Sequence, residues 1–119
     1  MPNTIKLPHP DTLLAERDGA KLYALQPSEE FPLYRRVKLI LPATAPRRVY
    51  YLAFIIHQGR LKRGGDCWRL LQSYPDTHAW ALGECAQAFT PEAARSDFGL
   101  TPEEWAARVA AEEGKYKKT

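Results

Sequence analysis

Acidic residues are almost missing from the middle of this chain. Between Arg35 and Arg69 there is one, Asp66, against nine bases: Arg35, Arg36, Lys38, Arg47, Arg48, Arg60, Lys62, Arg63 and Arg69. That stretch carries +8. Residues 1–34 sum to −2 (three bases, five acids) and residues 70–119 to −3 (five bases, eight acids), which together give the +3 of the whole. A basic middle between acidic ends bears on partners rather than on fold.

Other absences remove whole classes of function. There are two cysteines, Cys67 and Cys85, and no second pair, so a four-cysteine zinc site cannot be built. A Cys67, His78, Cys85 set lacks the close C-x-x-C spacing that makes metal motifs specific. Both thiols are expected reduced, with at least one in the core as a small hydrophobe, and no metal or cofactor is expected. The longest apolar run, Val49 to Ile56, has eight residues, short of the roughly 18 that a membrane span needs. The N-terminal "MPNTIKLPHPDTLL" lacks the basic-then-apolar pattern of a secretory signal, so cytoplasmic residence and no membrane partner are expected. "GRLKRGG" lacks the order and the Lys-Ser/Thr ending of a phosphate loop. No RNP-like, KH-like or zinc-finger signature is present.

What is present is ordinary globular material. The 119 residues are 45% apolar and 26% charged, the size and balance of one domain with one core. A single domain over 1–119 is expected, frayed at about 1–8 and 115–119. The Ala, Arg, Pro and Leu usage suggests a bacterial accessory protein.

Hydrophobic periodicity divides the chain in two. "HPDTLLAER" reads as a short helix capped by Asp11 and closed by Asp18-Gly19. Strands are expected at about 21–25, 35–41, 48–56 and 60–63. In the second, Val37, Leu39 and Leu41 share one face and Arg36, Lys38 and Ile40 the other. The third is apolar on both faces and so is expected to be central and covered on both sides. Gln58-Gly59 serves as a two-residue hairpin turn. After "GGD" the period turns helical: Asp66 caps a helix with Cys67, Leu70, Leu71 and Tyr74 on its buried stripe, and Pro75 ends it. A further helix carries Leu82, Cys85, Ala86 and Phe89. "FTPEAA" and "LTPEEW" are matched helix starts; Thr101 with Glu104 makes a capping box and Leu100 with Trp105 a hydrophobic staple. Gly114 is the expected stop. Three to four antiparallel strands followed by three to four helices packed on them make an α+β fold.

Antiparallel pairing of 35–41 with 48–56, and of 48–56 with 60–63, brings four cations from two strands to one end of the sheet. These are Arg35, Arg36, Lys62 and Arg63, with Arg60 at the turn beside them. Like charges held this close repel unless something negative meets them. Trp68 lies off the stripe of its helix, where it is either wedged between helix and sheet, the favoured reading, or exposed as an anchor with Arg63 and Arg69, since Trp and Arg are the residue types of interface hot spots. The expected binding set is Arg35, Arg36, Arg60, Lys62, Arg63, Trp68 and Arg69.

The partner read from this set is an acidic protein surface, with the chain as an adaptor, regulator or inhibitor of a larger assembly. The alternative is RNA or single-stranded DNA, using the same patch with Tyr50, Phe54 and Trp68 as stacking platforms, although Tyr50 and Phe54 alternate with Leu52 and Ile56 and read better as core beneath a helix. A pI near 8.9 is below what a dedicated nucleic-acid domain shows. Cys67, His78 and Asp76 make an arithmetically possible nucleophile, base and orienter, but nothing in their spacing demands it. The chain is read as non-enzymatic.

Overall fold

The computed structural model describes residues 12–27 and 31–116. Five strands come first: β1 (Thr12–Arg17), β2 (Ala20–Ala24), β3 (Tyr34–Ile40), β4 (Val49–Ile55) and β5 (Arg60–Leu61). Four helices follow: α1 (Gly65–Ser73), α2 (Pro75–Ala88), α3 (Pro91–Asp97) and α4 (Pro102–Tyr116). The strands form one antiparallel sheet in sequence order, β1-β2-β3-β4-β5. The α+β class is as expected, with one strand more than the three to four foreseen.

The additional strand is β1, where a helix was expected. Asp18 and Gly19, read as a helix stop, are instead the two central residues of a hairpin turn. Both have positive φ, 52° and 86°, the backbone that matches the twist of paired strands. A bulge near Leu14 shifts the register between Leu13 and Ala15. It breaks strict alternation and hides the strand from a period-2 reading. Asp11, the expected helix cap, lies outside the described residues.

Alternation in the other strands sets the two faces of the sheet. On the inner face, Leu22, Ala24, Val37, Leu39, Tyr50, Leu52, Phe54 and Leu61 are buried and pack against Cys67, Leu70, Ala81, Cys85 and Phe89 from the helical half. Phe54 and Phe89 meet with ring centroids 6.1 Å apart. Helices α1 and α2 pack against strands of this sheet. Tyr50 and Phe54 are thus core residues, the better of their two readings, and are closed to stacking. No described helix packs over the outer face around Tyr51 and Ala53, although Ile55 at its end is buried, so β4 is covered less fully on this side than on the inner one. It also lies next to the short edge strand β5 rather than at the centre of the sheet.

Several boundaries shift for local reasons. The β4–β5 connection is a 3-10 turn, Ile56–Gln58, ended by Gly59 in the left-handed region at φ 65°. β5 is shorter than the expected 60–63, although Lys62 N still donates to Ala53 O at 2.6 Å. Helix α1 begins at Gly65 after Gly64, and no side chain caps it. Asp66 was expected in that role; its carboxylate serves β4 instead, as described below. Ala86 is exposed rather than on the buried stripe of α2. The capping box is present: Glu104 N donates to Thr101 Oγ1 at 3.1 Å, and Thr101 N to Glu104 Oε1 at 2.8 Å. Helix α4 continues through Gly114 to Tyr116, because its end is tied down. Buried Glu112 accepts from Leu33 N at 2.9 Å, just before β3. Of the expected frayed segments, about 1–8 and 115–119, residues 1–8 and 117–119 lie outside the described residues, while residues 115 and 116 belong to α4. No described helix is long and apolar enough to cross a membrane.

Candidate functional site: the open face of the sheet

The register decides which cations meet. Arg36 pairs with Ala53 across β3 and β4, and Arg35 pairs with Phe54. Phe54 is a core residue, so Arg35 points inward with it and Arg36 points outward with Ala53. On the far side of Ala53 lies Lys62. Arg36, Ala53 and Lys62 therefore form one row across three strands on the outer face.

Two hollows flank this row. One has a volume of about 710 Å³ and is walled by Arg36, Tyr51, Ala53, Lys62, Arg63 and the Gly64-Gly65 turn. The other, about 230 Å³, lies between Pro27, Phe31, Tyr34, Arg36, Ala53 and Lys62. Both share Arg36, Ala53 and Lys62, so they form a continuous trough with cations along its middle. Tyr51 is the most exposed ring here, at 57% of its surface. The neighbouring rings carry cations: Lys38 Nζ sits 5.6 Å from the Tyr23 centroid and Lys62 Nζ 5.3 Å from that of Tyr34. Arg63 lies over Trp68 at 5.7 Å. Such contacts hold a side chain in place while leaving its charge available.

Asp66, the one acid of the basic segment, is used elsewhere. Asp66 Oδ1 accepts from Arg47 Nη2 at 2.6 Å, and Oδ2 accepts from Tyr51 N at 2.9 Å. This covers the stretch of β4 edge that β5 is too short to reach. The Tyr51 N–H, with Arg47 beside it, holds the Asp66 carboxyl below the usual carboxylate range. Arg36 donates to Gln26 O at 3.1 Å and Arg60 to Gln58 Oε1 at 2.6 Å, both uncharged acceptors. Among the described residues, no carboxylate forms an ion pair with Arg36, Arg60, Lys62 or Arg63.

Of the seven residues expected at the site, the structure gathers some and separates others. Arg36, Lys62 and Arg63 line the trough. Trp68, 46% exposed, lies under Arg63 and lines a small adjoining cavity rather than the trough. Arg60, on β5, faces that cavity together with Arg63 and Trp68. Arg69 is exposed on α1 and lines none of these hollows. Arg35 does not reach the surface: it is 1% exposed, 3.5 Å from Asp97 Oδ2 and 5.1 Å above the Phe98 ring. Tyr23, Tyr34, Lys38 and Tyr51 belong to the outer face and were not foreseen. The signal was available, since Arg36 and Lys38 mark the solvent side of β3 and register places Ala53 and Tyr51 opposite them.

The adjoining cavity, about 150 Å³, brings Cys67 and His78 together. Cys67 Sγ lies 3.3 Å from His78 Nε2. Burial pushes the Cys67 thiol up, with Arg63 pulling the other way. Burial and Arg63 both lower His78, so thiol and imidazole face each other as a neutral pair. Asp76 does not join them; it lines a separate groove with Arg17, Tyr74 and Trp80. Cys85 lies deeper, its thiol pushed up to about 12 by burial. The described residues contain no cluster of three metal-ligating side chains.

Among the described residues the architecture is thus a five-stranded meander backed by helices on one face, with cations and tyrosines along the other face, which no described helix covers. The chain matches no family model, no curated protein and no solved structure.

Proposed function

We propose that the chain is a non-enzymatic binding protein whose open sheet face takes an acidic segment of a protein partner. The observation that carries this reading is the row Arg36–Ala53–Lys62, with Arg63 beside it, in a trough where the one described carboxylate in the lining, Asp66, is already engaged by Arg47 and the Tyr51 amide. The trough is shallow and bounded by aromatic walls. It suits an extended chain whose carboxylates meet the central cations and whose apolar groups rest on Tyr51 and Phe31. Most of the rings already carry a cation on one face, which favours a carboxylate partner over a run of stacked bases.

Exposed Tyr51 supports a second reading, single-stranded nucleic acid, because one free ring beside phosphate-binding cations is the minimal stacking site. Fluorescence anisotropy parts the two readings. A labelled peptide of alternating Asp/Glu and apolar residues should bind, and Arg36→Glu with Lys62→Glu should abolish that binding. Its affinity should fall only modestly with salt. A labelled oligothymidylate serves as the rival probe. If it binds instead, with affinity falling steeply as salt rises and with loss on Tyr51→Ala, the nucleic-acid reading replaces the first. Binding of neither probe, or binding unchanged in the double variant, removes the open face as a site.

A further inference from the structure

The cavity beside the trough holds features that a binding face does not use. Its floor is Cys67 and His78, its walls Leu61, Leu71 and Leu82, and its mouth Arg60, Arg63 and Trp68. A thiol 3.3 Å from an imidazole nitrogen is a nucleophile with a base in place. The two arginines at the mouth make no ion pair with any described residue. We infer that Cys67 is a covalent modification site for small electrophiles that carry a carboxylate, with His78 as the base and Arg60 and Arg63 as the anion guide.

The geometry gives each group one task. The anion is drawn to the guanidinium groups, which places its electrophilic carbon over the cavity. Cys67 S–H donates to His78 Nε2 when the ring proton rests on Nδ1. As sulfur attacks, the S–C bond forms, the thiol proton passes to Nε2, and the leaving group departs with the electron pair of the broken C–X bond. The products are a thioether, an imidazolium and a free anion. No oxidant or metal enters. No described carboxylate orients His78, so the site is built for a single stoichiometric event and lacks the third member of a turnover triad.

The chain contains its own control. Both thiols are buried, Cys67 at 3% and Cys85 at 0%, but only Cys67 lines the cavity with an imidazole beside it; Cys85, pushed up to about 12 by burial, stays unreactive at neutral pH. The test is alkylation of the folded protein by iodoacetate and, separately, by iodoacetamide, with the modified residue located by peptide mass spectrometry.

Cys67 should be labelled while Cys85 is not. The iodoacetate-to-iodoacetamide rate ratio at Cys67 should exceed that of a free small thiol by about tenfold, and added salt should erase the excess. Arg60→Gln with Arg63→Gln, both exposed and so without cost to the core, should bring the ratio down to the free-thiol value. His78→Gln should slow both reagents near neutral pH and move the rate profile to higher pH. Three results would each overturn the inference: no labelling of Cys67 before Cys85, a ratio no higher than that of the free thiol, or a ratio indifferent to both arginines.

Discussion

Arg35 and Arg36 are neighbours in the chain and opposites in the structure. Arg35 enters the core with Phe54, under the helical half, and finds Asp97 and the face of Phe98. Arg36 leaves with Ala53 onto the open face and lines both hollows of the trough. One residue of strand pleat separates a structural cation from a binding one. The inner face holds its charge by desolvated pairing, the outer face by leaving it in water until a partner arrives. Local charge density therefore says how many cations are near a site but not how many are available to it.

The inner member of this pair should give the largest effect on stability. Burial lowers the Arg35 pKa, and the Asp97 carboxylate opposes that shift. Its Nε and Nη1 are buried with no hydrogen-bond partner, so the group is held at a cost and only partly compensated. Truncation leaves a large void and strands Asp97 beside it. Arg35→Ala should lower unfolding stability by about 3 kcal/mol in urea titration, whereas Arg35→Met, which fills the space without charge, should cost under about 1.5 kcal/mol. A truncation that costs no more than a surface change would mean that the side chain is not in the core.

Next in size is the turn that made β1 a strand. A Cβ on Gly19 would meet Pro42 Cγ at 3.2 Å, on a backbone with φ 86° that side chains rarely adopt. Gly19→Ala should cost about 1–2 kcal/mol, read as a lowered midpoint in thermal unfolding.

Two carboxylates that serve the two regions should respond to acid in opposite ways. Asp66, on the open side, has its pKa lowered by the Tyr51 N–H and by Arg47. Its contribution is complete above the ordinary carboxylate pKa and is lost as pH falls through its depressed folded value. Asp97, on the inner side, has its pKa raised because burial outweighs Arg35. Its folded form takes up a proton before the unfolded form does, so its contribution to stability improves as pH falls through that raised value. Asp66→Asn should cost about 1 kcal/mol at neutral pH and flatten the acid limb of the stability curve. Asp97→Asn should steepen that limb. Matching slopes for the two variants would break the proposed division between the faces.

How much of this was legible beforehand follows from the kind of signal each element carries. β3 was readable because Val37 and Leu39 alternate with Arg36 and Lys38, a period that survives any register. The capping box at Thr101 and Glu104 was readable because it is local. β1 was not, since Leu13 and Leu14 straddle a bulge and Asp-Gly serves equally as helix stop or hairpin turn. The candidate site was half legible. Pairing geometry brought Arg36, Lys62 and Arg63 together, but the face on which each stands depends on a single-residue register that β4, apolar on both sides, does not announce. Tyr50 and Tyr51 are the clearest instance: adjacent, chemically identical, one in the core and one 57% exposed. The meeting of Cys67 with His78 depends on the angle between α1 and α2 across Pro75, which spacing alone does not encode.

The smallest expected effect completes the comparison. Arg36 is exposed, its one described hydrogen bond goes to Gln26 O, and its neighbours in the trough are also cationic. Removing it relieves like-charge crowding as much as it loses a surface contact. Arg36→Ala should therefore leave stability within about 0.5 kcal/mol of the parent, one residue away from a truncation expected to cost several times more. The measurement is the same urea titration used for Arg35, at low and at moderate salt. If crowding matters, the variant should gain slightly at low salt, where repulsion between exposed cations is least screened, and that gain should vanish as salt rises. A loss of stability comparable to that of Arg35→Ala would mean that the outer face is as much a part of the fold's support as the inner one. The row of cations would then lose its standing as charge held ready for a partner.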